Sequence, residues 1–174
     1  MKTTLYYFTG SGNSLALART IAKDLDECEL VSIPQVFGQE IQVRSRRVGF
    51  VFPTYAYGLP RMVQEFVSQL QFPEQSYVFA IASNCGIPGP TLRQLDRRLR
   101  KKGCRLQAGF SVLDARSSLI NDPDNDTLQK IMITANRGKT PAKSHLRRDE
   151  IVRIIASEQK KPIETSSRIT NMLG

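Results

Sequence analysis

The sequence predicts an α/β fold built on a doubly wound, five-stranded parallel sheet with helices on both faces. Short apolar runs alternate with segments whose apolar residues recur at helical spacing, and this alternation repeats through five strands. The strand segments are continuously apolar, which is typical of parallel strands buried on both sides. A length of 174 residues suits one domain with one sizeable core.

Five segments are predicted as strands because they are short, apolar and bounded by turn residues. They cover residues 3–8, 28–33, 48–52, 77–82 and 106–113.

Three long helices are predicted between these strands. The first begins at Ser14, directly after a glycine-rich loop. The second carries an apolar stripe from Leu59 to Leu70, with Pro60 in its first turn. The third is closed by Gly103.

The C-terminal part of the chain is predicted to be helical. Helices are expected near 125–136 and 147–158, followed by a weak helix or tail over 162–173. We expect residues 1–140 to form the ligand-binding domain and residues 141–174 to be a helical extension of the same domain.

Composition excludes several classes of protein. No apolar run approaches the ~20 residues that a membrane span needs, and the N-terminus does not resemble a signal peptide, so we expect a cytoplasmic protein that does not bind membranes. The three cysteines lack metal-ligand spacing, which predicts neither a metal site nor a disulfide framework. The formal net charge is +9, but basic residues are not interleaved with aromatic ones, so nucleic acid is not the expected partner.

A glycine-rich loop between the first strand and the first helix is suited to binding a phosphate. Backbone N–H groups and the positive end of the helix dipole favour an anion there, and glycines allow the backbone to approach it closely. The loop differs from a Walker loop and from a dinucleotide fingerprint, which need a Lys after the second glycine and a third Gly or Ala, respectively. An ordinary strand-to-helix connection is the alternative. The loop reads Thr9-Gly10-Ser11-Gly12-Asn13-Ser14.

Ligands of such sheets bind outside the carboxyl ends of the strands, at the topological switch point. Loops 9–14, 53–58 and 83–90 are predicted to meet there, and they are the loops richest in Gly, Pro, Asn and hydroxyl residues.

The segment from Tyr7 to Ser14 resembles the phosphate loop of flavodoxins, with serines in place of two threonines. Segments 49–55, 58–63 and 99–110 resemble the flavodoxin half of flavodoxin–ferredoxin fusion proteins. The resemblance covers roughly residues 3–135, and the clustered cysteines of the ferredoxin half are absent. It implies a flavodoxin-like fold, FMN as the cofactor, and electron transfer as the function.

The resemblance also implies which residues contact FMN. Tyr55 matches the aromatic position that stacks on the flavin, although ordinary half-buried packing would also explain it. A peptide near Gly58 is expected to reorient and accept a hydrogen bond from reduced flavin. Cys85 is more simply explained as a small packing residue than as a redox-active cysteine. The expected contacts are Thr9, Gly10, Ser11, Gly12, Asn13, Ser14, Pro53, Thr54, Tyr55, Tyr57, Gly58, Ser83, Asn84, Cys85, Gly86 and Gly89.

One segment departs from the fusion family, which tends to carry Pro-Asn-Asn after the fifth strand. Residues 114–118 read Asp-Ala-Arg-Ser-Ser instead. If Arg116 reaches the ring, its charge would raise the flavin's midpoint potential. The departure could equally mean weakened FMN binding.

Basic residues are concentrated around the third helix. A solvated helix face would explain them, and so would a docking face for an acidic redox protein such as a ferredoxin. They are Arg93, Arg97, Arg98, Arg100, Lys101, Lys102 and Arg105, with a smaller group at Arg44, Arg46 and Arg47.

Three functions are compatible with the sequence, and no catalytic residue is predicted for any of them. The leading hypothesis is an FMN-binding electron-transfer protein that exchanges electrons with a ferredoxin or another redox partner. The others are an FMN-dependent NAD(P)H or quinone oxidoreductase, and a flavodoxin-like binding module that has lost its flavin. Whether the protein is an enzyme stays open at this point.

Overall fold

The computed structural model describes residues 2–84, 88–113 and 141–165. Several sequence predictions concern residues outside these ranges: the helix at 125–136, the end of the tail, and the roles of Cys85, Gly86 and Arg116.

Five strands form one parallel sheet. They are β1 (Thr3–Tyr7), β2 (Cys28–Ser32), β4 (Arg47–Pro53), β6 (Tyr77–Asn84) and β7 (Ala108–Leu113). Their order in the sheet is β2-β1-β4-β6-β7. The chain leaves β1 towards β2 on one side and returns to β4 on the other, so the topological switch point lies between β1 and β4. This arrangement confirms the predicted fold class.

Two further strands were not predicted. They are β3 (Ile41–Gln42) and β5 (Leu70–Gln71), which pair in parallel outside the main sheet. Leu70 therefore lies in β5, whereas the sequence placed it at the end of the second long helix.

The helices cover both faces of the sheet. They are α1 (Asn13–Lys23), α2 (Ile33–Val36), α3 (Arg61–Gln69), α4 (Thr91–Arg100) and α5 (Pro141–Ala156). Pro60 caps the start of α3 instead of lying in its first turn. The predicted helix at 147–158 begins earlier, at Pro141.

Each face of the sheet has its own buried core. On one face, α1 and α5 contribute Ile21 and Ile155, which pack with Phe79 and Phe110 of the sheet. On the other face, the apolar sides of α2, α3 and α4 pack on β4 and β6. A glycine is needed at position 49 in β4, because a Cβ atom there would lie 2.3 Å from side-chain atoms of both Leu5 and Phe79.

The C-terminal strap, defined as residues 159–165, lies along the β7 edge of the sheet. The backbone N–H of Lys161 donates to Gln107 O (2.8 Å), and that of Glu164 donates to Gly109 O (3.1 Å). The carboxylate of Glu164 accepts hydrogen bonds from the guanidinium of Arg147 and from the backbone N–H of Ser111. The part of the predicted tail that the structure describes is thus an extended segment held to the edge strand.

We expect Glu164→Gln to lower the free energy of unfolding by about 1–3 kcal/mol at pH 7, because it weakens charge-assisted hydrogen bonds. Burial works to raise the pKa of Glu164, but hydrogen bonds from Arg147, the Ser111 N–H and Lys161 outweigh it and hold the pKa below its ordinary 4.5. The carboxylate therefore stabilises the fold above pH 4.5, and this contribution disappears as the pH falls through the lowered pKa. Urea unfolding between pH 7 and pH 2 should show a difference from wild type that is largest at pH 7 and shrinks as the pH falls below 4.5.

Glu65→Gln is the matched control for this prediction. Glu65 pairs with Arg61 on the exposed surface of α3 (2.6 Å), where solvent screens the interaction. Equal effects of the two substitutions would contradict a stabilising role for the Glu164 cluster.

No helix in the described part of the chain combines the length and the apolar character needed to cross a membrane.

Candidate functional site

The phosphate loop (residues 9–14) lies where β1 ends and α1 begins. Gly12 has φ +91° and ψ −16°, and its backbone N–H donates to Thr9 Oγ1 (3.0 Å). Among the described residues, no side chain caps the start of α1, and its first turn carries no acidic residue. The positive end of α1 is therefore well suited to an anion.

A group of hydroxyl side chains lies beside this loop. Ser14 Oγ and Ser83 Oγ are 3.0 Å apart and both residues are buried, which joins α1 to the end of β6. The backbone N–H of Thr54 donates to Ser83 O (2.7 Å). Thr54 Oγ1 is buried and has no hydrogen-bond partner within the described residues. An unsatisfied buried hydroxyl is costly, so this one is a candidate hydrogen-bonding group for a ligand at this edge.

The loop after β4 is a tight turn that presents two tyrosines. Tyr55 and Gly58 exchange backbone hydrogen bonds of 3.1 and 2.7 Å. The two residues between them have positive φ, +44° at Ala56 and +64° at Tyr57. Positive φ at both central positions is the pattern of a type I′ turn, and it is strained for residues other than glycine and asparagine.

The side chains of Tyr55 and Tyr57 are 47% and 43% exposed, which is a high exposed fraction for large aromatic residues. The Tyr55 ring packs edge-on against Phe8, with 6.0 Å between centroids. Its hydroxyl lies 2.3 Å from where a Cβ on Gly10 would stand. The phosphate loop therefore needs glycine at position 10 for Tyr55 to lie against it.

The turn formed by Tyr55–Gly58, called the Tyr57 turn from here on, packs against the start of α4 and the residue Gly89 before it. Gly89 has φ +58°, and a Cβ there would lie 2.3 Å from the carbonyl oxygen of Tyr57. The Thr91 hydroxyl donates a hydrogen bond to the same Tyr57 oxygen (3.4 Å). Gln94 Oε1 accepts a hydrogen bond from the Leu59 N–H (2.7 Å). Thr91 and Gln94 were not predicted as site residues, because neither carries a local sequence signal for these contacts.

Other predicted site residues have structural partners. Asn84 is buried, and its amide nitrogen donates to Ser111 Oγ (2.8 Å) and Val112 O (3.2 Å) of β7. Its nitrogen therefore joins two strands. Pro53 ends β4 and pairs with Ser83.

Comparison with known proteins identifies the fold. Flavodoxin 1 from Bacillus cereus matches with a TM-score of 0.51 and 17% identity over 78% of this chain and 95% of that chain. The chain has a flavodoxin-like fold. An azoreductase from Bacillus anthracis matches with a TM-score of 0.53 and 9% identity over 90% of this chain and 100% of that chain.

The flavodoxin-like domain also matches part of a larger enzyme. The rubredoxin oxygen:oxidoreductase of Desulfovibrio gigas gives a TM-score of 0.50 and 14% identity over 90% of this chain. This chain spans only 36% of that protein's length. No family model and no curated protein sequence matches the chain.

The cysteines that the structure describes in this flavodoxin-like domain lie away from the carboxyl edge. Burial raises the pKa of the Cys28 thiol to about 11. Of two smaller charge effects, that of Arg47 lowers this pKa and that of Glu29 raises it. Burial also raises the pKa of Cys104. Burial therefore favours the protonated, less nucleophilic form of both thiols.

The predicted basic residues do not all lie on one free surface. Arg47 is buried at the start of β4, so its place in a basic surface group was predicted wrongly. Arg46 forms an ion pair with Glu158 (2.9 Å). Around α4, the charged side chains of Arg93, Arg97 and Arg105 are exposed.

Proposed function

We propose that the protein binds FMN at the carboxyl edge of its sheet and exchanges electrons with a redox partner. The observation that carries this proposal is the buried Thr54 hydroxyl, which has no hydrogen-bond partner among the residues that the structure describes. It lies beside a glycine-rich loop and a helix start that no described side chain caps. These three features together favour a ligand with a phosphate and further hydroxyl groups, as FMN has.

The residues present fit FMN. Backbone N–H groups of loop 9–14 and the positive end of α1 would hold the phosphate. The Thr54 hydroxyl would gain the hydrogen-bond partner that it lacks. Tyr55 would provide an apolar face for the flavin ring, while Gly10 allows the ring of Tyr55 to lie close to the loop.

Bound FMN would accept and release electrons, and the chain would position the cofactor and limit its contact with water. The Tyr57 turn is suited to positioning, because Gly89, Thr91 and Gln94 fix its backbone on α4. The names of the structural matches, a flavodoxin and an azoreductase, agree with a redox role.

A ferredoxin is the partner that we propose, and the cytoplasm is the proposed location. Segments 49–55, 58–63 and 99–110 resemble the flavodoxin half of flavodoxin–ferredoxin fusions, which supports a ferredoxin. An acidic ferredoxin would also match the net charge of +9.

The second candidate is an FMN-dependent NAD(P)H or quinone oxidoreductase. The match to an azoreductase over 90% of this chain favours it. Steady-state NAD(P)H oxidation by the FMN-loaded protein, with a quinone as acceptor, would identify an enzyme. A carrier would reduce the quinone only once per flavin, after chemical reduction.

FMN and riboflavin titrations test the proposal. We expect FMN to bind about 100-fold more tightly than riboflavin, since about 2.7 kcal/mol is the scale of one or two charge-assisted hydrogen bonds to a phosphate. Flavin fluorescence and the visible spectrum report binding of both ligands. Equal affinities for FMN and riboflavin would rule out the phosphate site. A protein that binds neither ligand would be the binding module that has lost its flavin.

A further inference from the structure

A groove of about 450 Å³ lies between α4 and the C-terminal strap. Its charged lining is mostly basic, with one carboxylate among six charged side chains: Arg93, Asp96, Arg100, Arg105, Lys160 and Lys161. The groove is thus the place where the basic α4 region meets the strap.

The single carboxylate is already used within the chain. Asp96 Oδ2 accepts from Arg100 Nε (2.8 Å), and its Oδ1 accepts from the Leu106 N–H (2.8 Å). Lys161 is also paired, with Glu150 at 2.7 Å and Glu164 at 3.1 Å. Internal hydrogen bonds and ion pairs therefore already engage the charges of Arg100, Asp96 and Lys161.

The other cations of the groove are not neutralised. Arg93, Arg105 and Lys160 are exposed and have no hydrogen-bond or ion-pair partner in the described part of the chain. The same holds for Arg97, one helical turn beyond Arg93, and for Lys101, one turn further.

These five cations are spread out instead of converging on one point. From Arg93 to Lys101 the chain advances eight residues, or about 12 Å along a helix axis. Arg93, Arg97 and Lys101 repel one another at one-turn spacing, although Arg97 and Lys101 lie where the negative end of the α4 dipole favours cations. A spread of unneutralised cations suits an extended acidic surface better than one small anion.

Both walls of the groove lead to the candidate flavin site. The α4 wall begins at Thr91, whose hydroxyl lies 3.4 Å from the Tyr57 carbonyl oxygen. On the strap, the Thr165 hydroxyl donates to Gly89 O (2.9 Å). The Arg93 end of the groove is therefore the end nearest the loops that present Tyr57 and Gly89.

We propose that an acidic polypeptide segment of the electron-transfer partner docks in this groove and over the adjoining face of α4. Its carboxylates would lie on Arg93, Arg105 and Lys160 of the groove, and on Arg97 and Lys101 beside it. The inference rests on the proposed function, because the partner is the protein that exchanges electrons with the flavin. In the step itself, one ferrous ion of a reduced ferredoxin becomes ferric, and the flavin gains that electron.

The test measures electron transfer from a dithionite-reduced acidic [2Fe–2S] ferredoxin to the FMN-loaded full chain by stopped flow. The variant is R93E/R105E, and the matched control is R19E/R153E, which changes the charge equally at exposed arginines outside the groove. At low ionic strength we expect the groove variant to be at least about tenfold slower than the control, because electrostatic steering is worth that much or more. The control should stay within about twofold of wild type.

Two further measurements keep the docking proposal separate from the proposed function. The FMN dissociation constant of both variants should equal that of wild type, so loss of flavin binding would show a failure of folding or of the flavin site. The wild-type rate should also fall steeply as salt rises from about 0.02 to 0.5 M, because salt screens exposed charges; this needs no variant. Equal rates of the two variants with FMN bound would overturn the docking proposal, as would a salt-independent wild-type rate. Groove-dependent binding to vesicles of anionic lipid, without binding to ferredoxin, would overturn it in favour of a membrane surface.

Discussion

Replacing Gly89 with alanine is expected to weaken FMN binding on the order of 100-fold, or about 2.7 kcal/mol. The new Cβ would lie 2.3 Å from the carbonyl oxygen of Tyr57 and 2.9 Å from its carbonyl carbon. These are backbone atoms, so no side-chain rotation can relieve the overlap. The Tyr57 turn must move, and Tyr55 and Gly58 move with it because they belong to the same turn.

Two effects contribute to this loss. Alanine at φ +58° costs about 1–2 kcal/mol because left-handed backbone is unfavourable for residues with a Cβ atom. Overpacking against a fixed neighbour typically costs a further 1–3 kcal/mol. FMN titration measures the loss of affinity, and urea unfolding measures the loss of global stability. Comparing them separates distortion of the Tyr57 turn from destabilisation of the whole fold.

Gly38→Ala is the control for the backbone strain. Gly38 also has positive φ, +85°, but a Cβ there would have nothing within 4 Å. We expect it to lower stability and leave FMN affinity unchanged. Gly89→Asn adds a second comparison, because asparagine tolerates left-handed backbone but still carries the clashing Cβ. Wild-type FMN affinity in Gly89→Asn would show that contact with Tyr57 is not what positions the turn.

Much of the fold follows from sequence patterns, because its strands are continuous apolar runs and its helices have regular apolar stripes. The predicted strands 3–8 and 28–33 correspond closely to Thr3–Tyr7 and Cys28–Ser32. The short strands at 41–42 and 70–71 could not be predicted in this way, since two residues are too few to show a period. The extended strap was missed for another reason: its stability comes from hydrogen bonds to residues 107 and 109, which are distant in sequence.

The candidate site was predictable to the extent that it depends on backbone conformation. Glycine-rich loops after buried strands indicate close backbone approach, and the structure places loops 9–14 and 53–58 at the same edge of the sheet. The hydrogen-bond partners and burial of side chains were harder to predict from the sequence. Gln94 supports Leu59 across 35 positions of the chain, and Arg47 is buried although it lies in a run of arginines. Neither fact has a local signal, because both depend on tertiary packing.

Gly12→Ala should reduce FMN affinity on the order of 100-fold while changing riboflavin affinity less than about twofold. Gly12 has φ +91°, further from the left-handed minimum near +57° than most non-glycine residues tolerate. An alanine would turn the loop to a more favourable φ and redirect the N–H groups that, in the proposed function, converge on the phosphate. Only a ligand with a phosphate depends on that convergence, so the preference for FMN over riboflavin should fall towards one.

Gly103→Ala is the matched control for Gly12→Ala. Gly103 has φ +76°, and a Cβ there would have nothing within 4 Å, but this glycine follows α4 and lies away from loop 9–14. Both substitutions therefore impose backbone strain without a steric clash, and only one of them alters the phosphate loop. If Gly12→Ala weakened FMN and riboflavin equally, the loop would be contributing to general stability, and the anion would have to be bound elsewhere. A selective loss of FMN would locate the phosphate at the start of α1, where the helix dipole and the loop N–H groups act on the same charge.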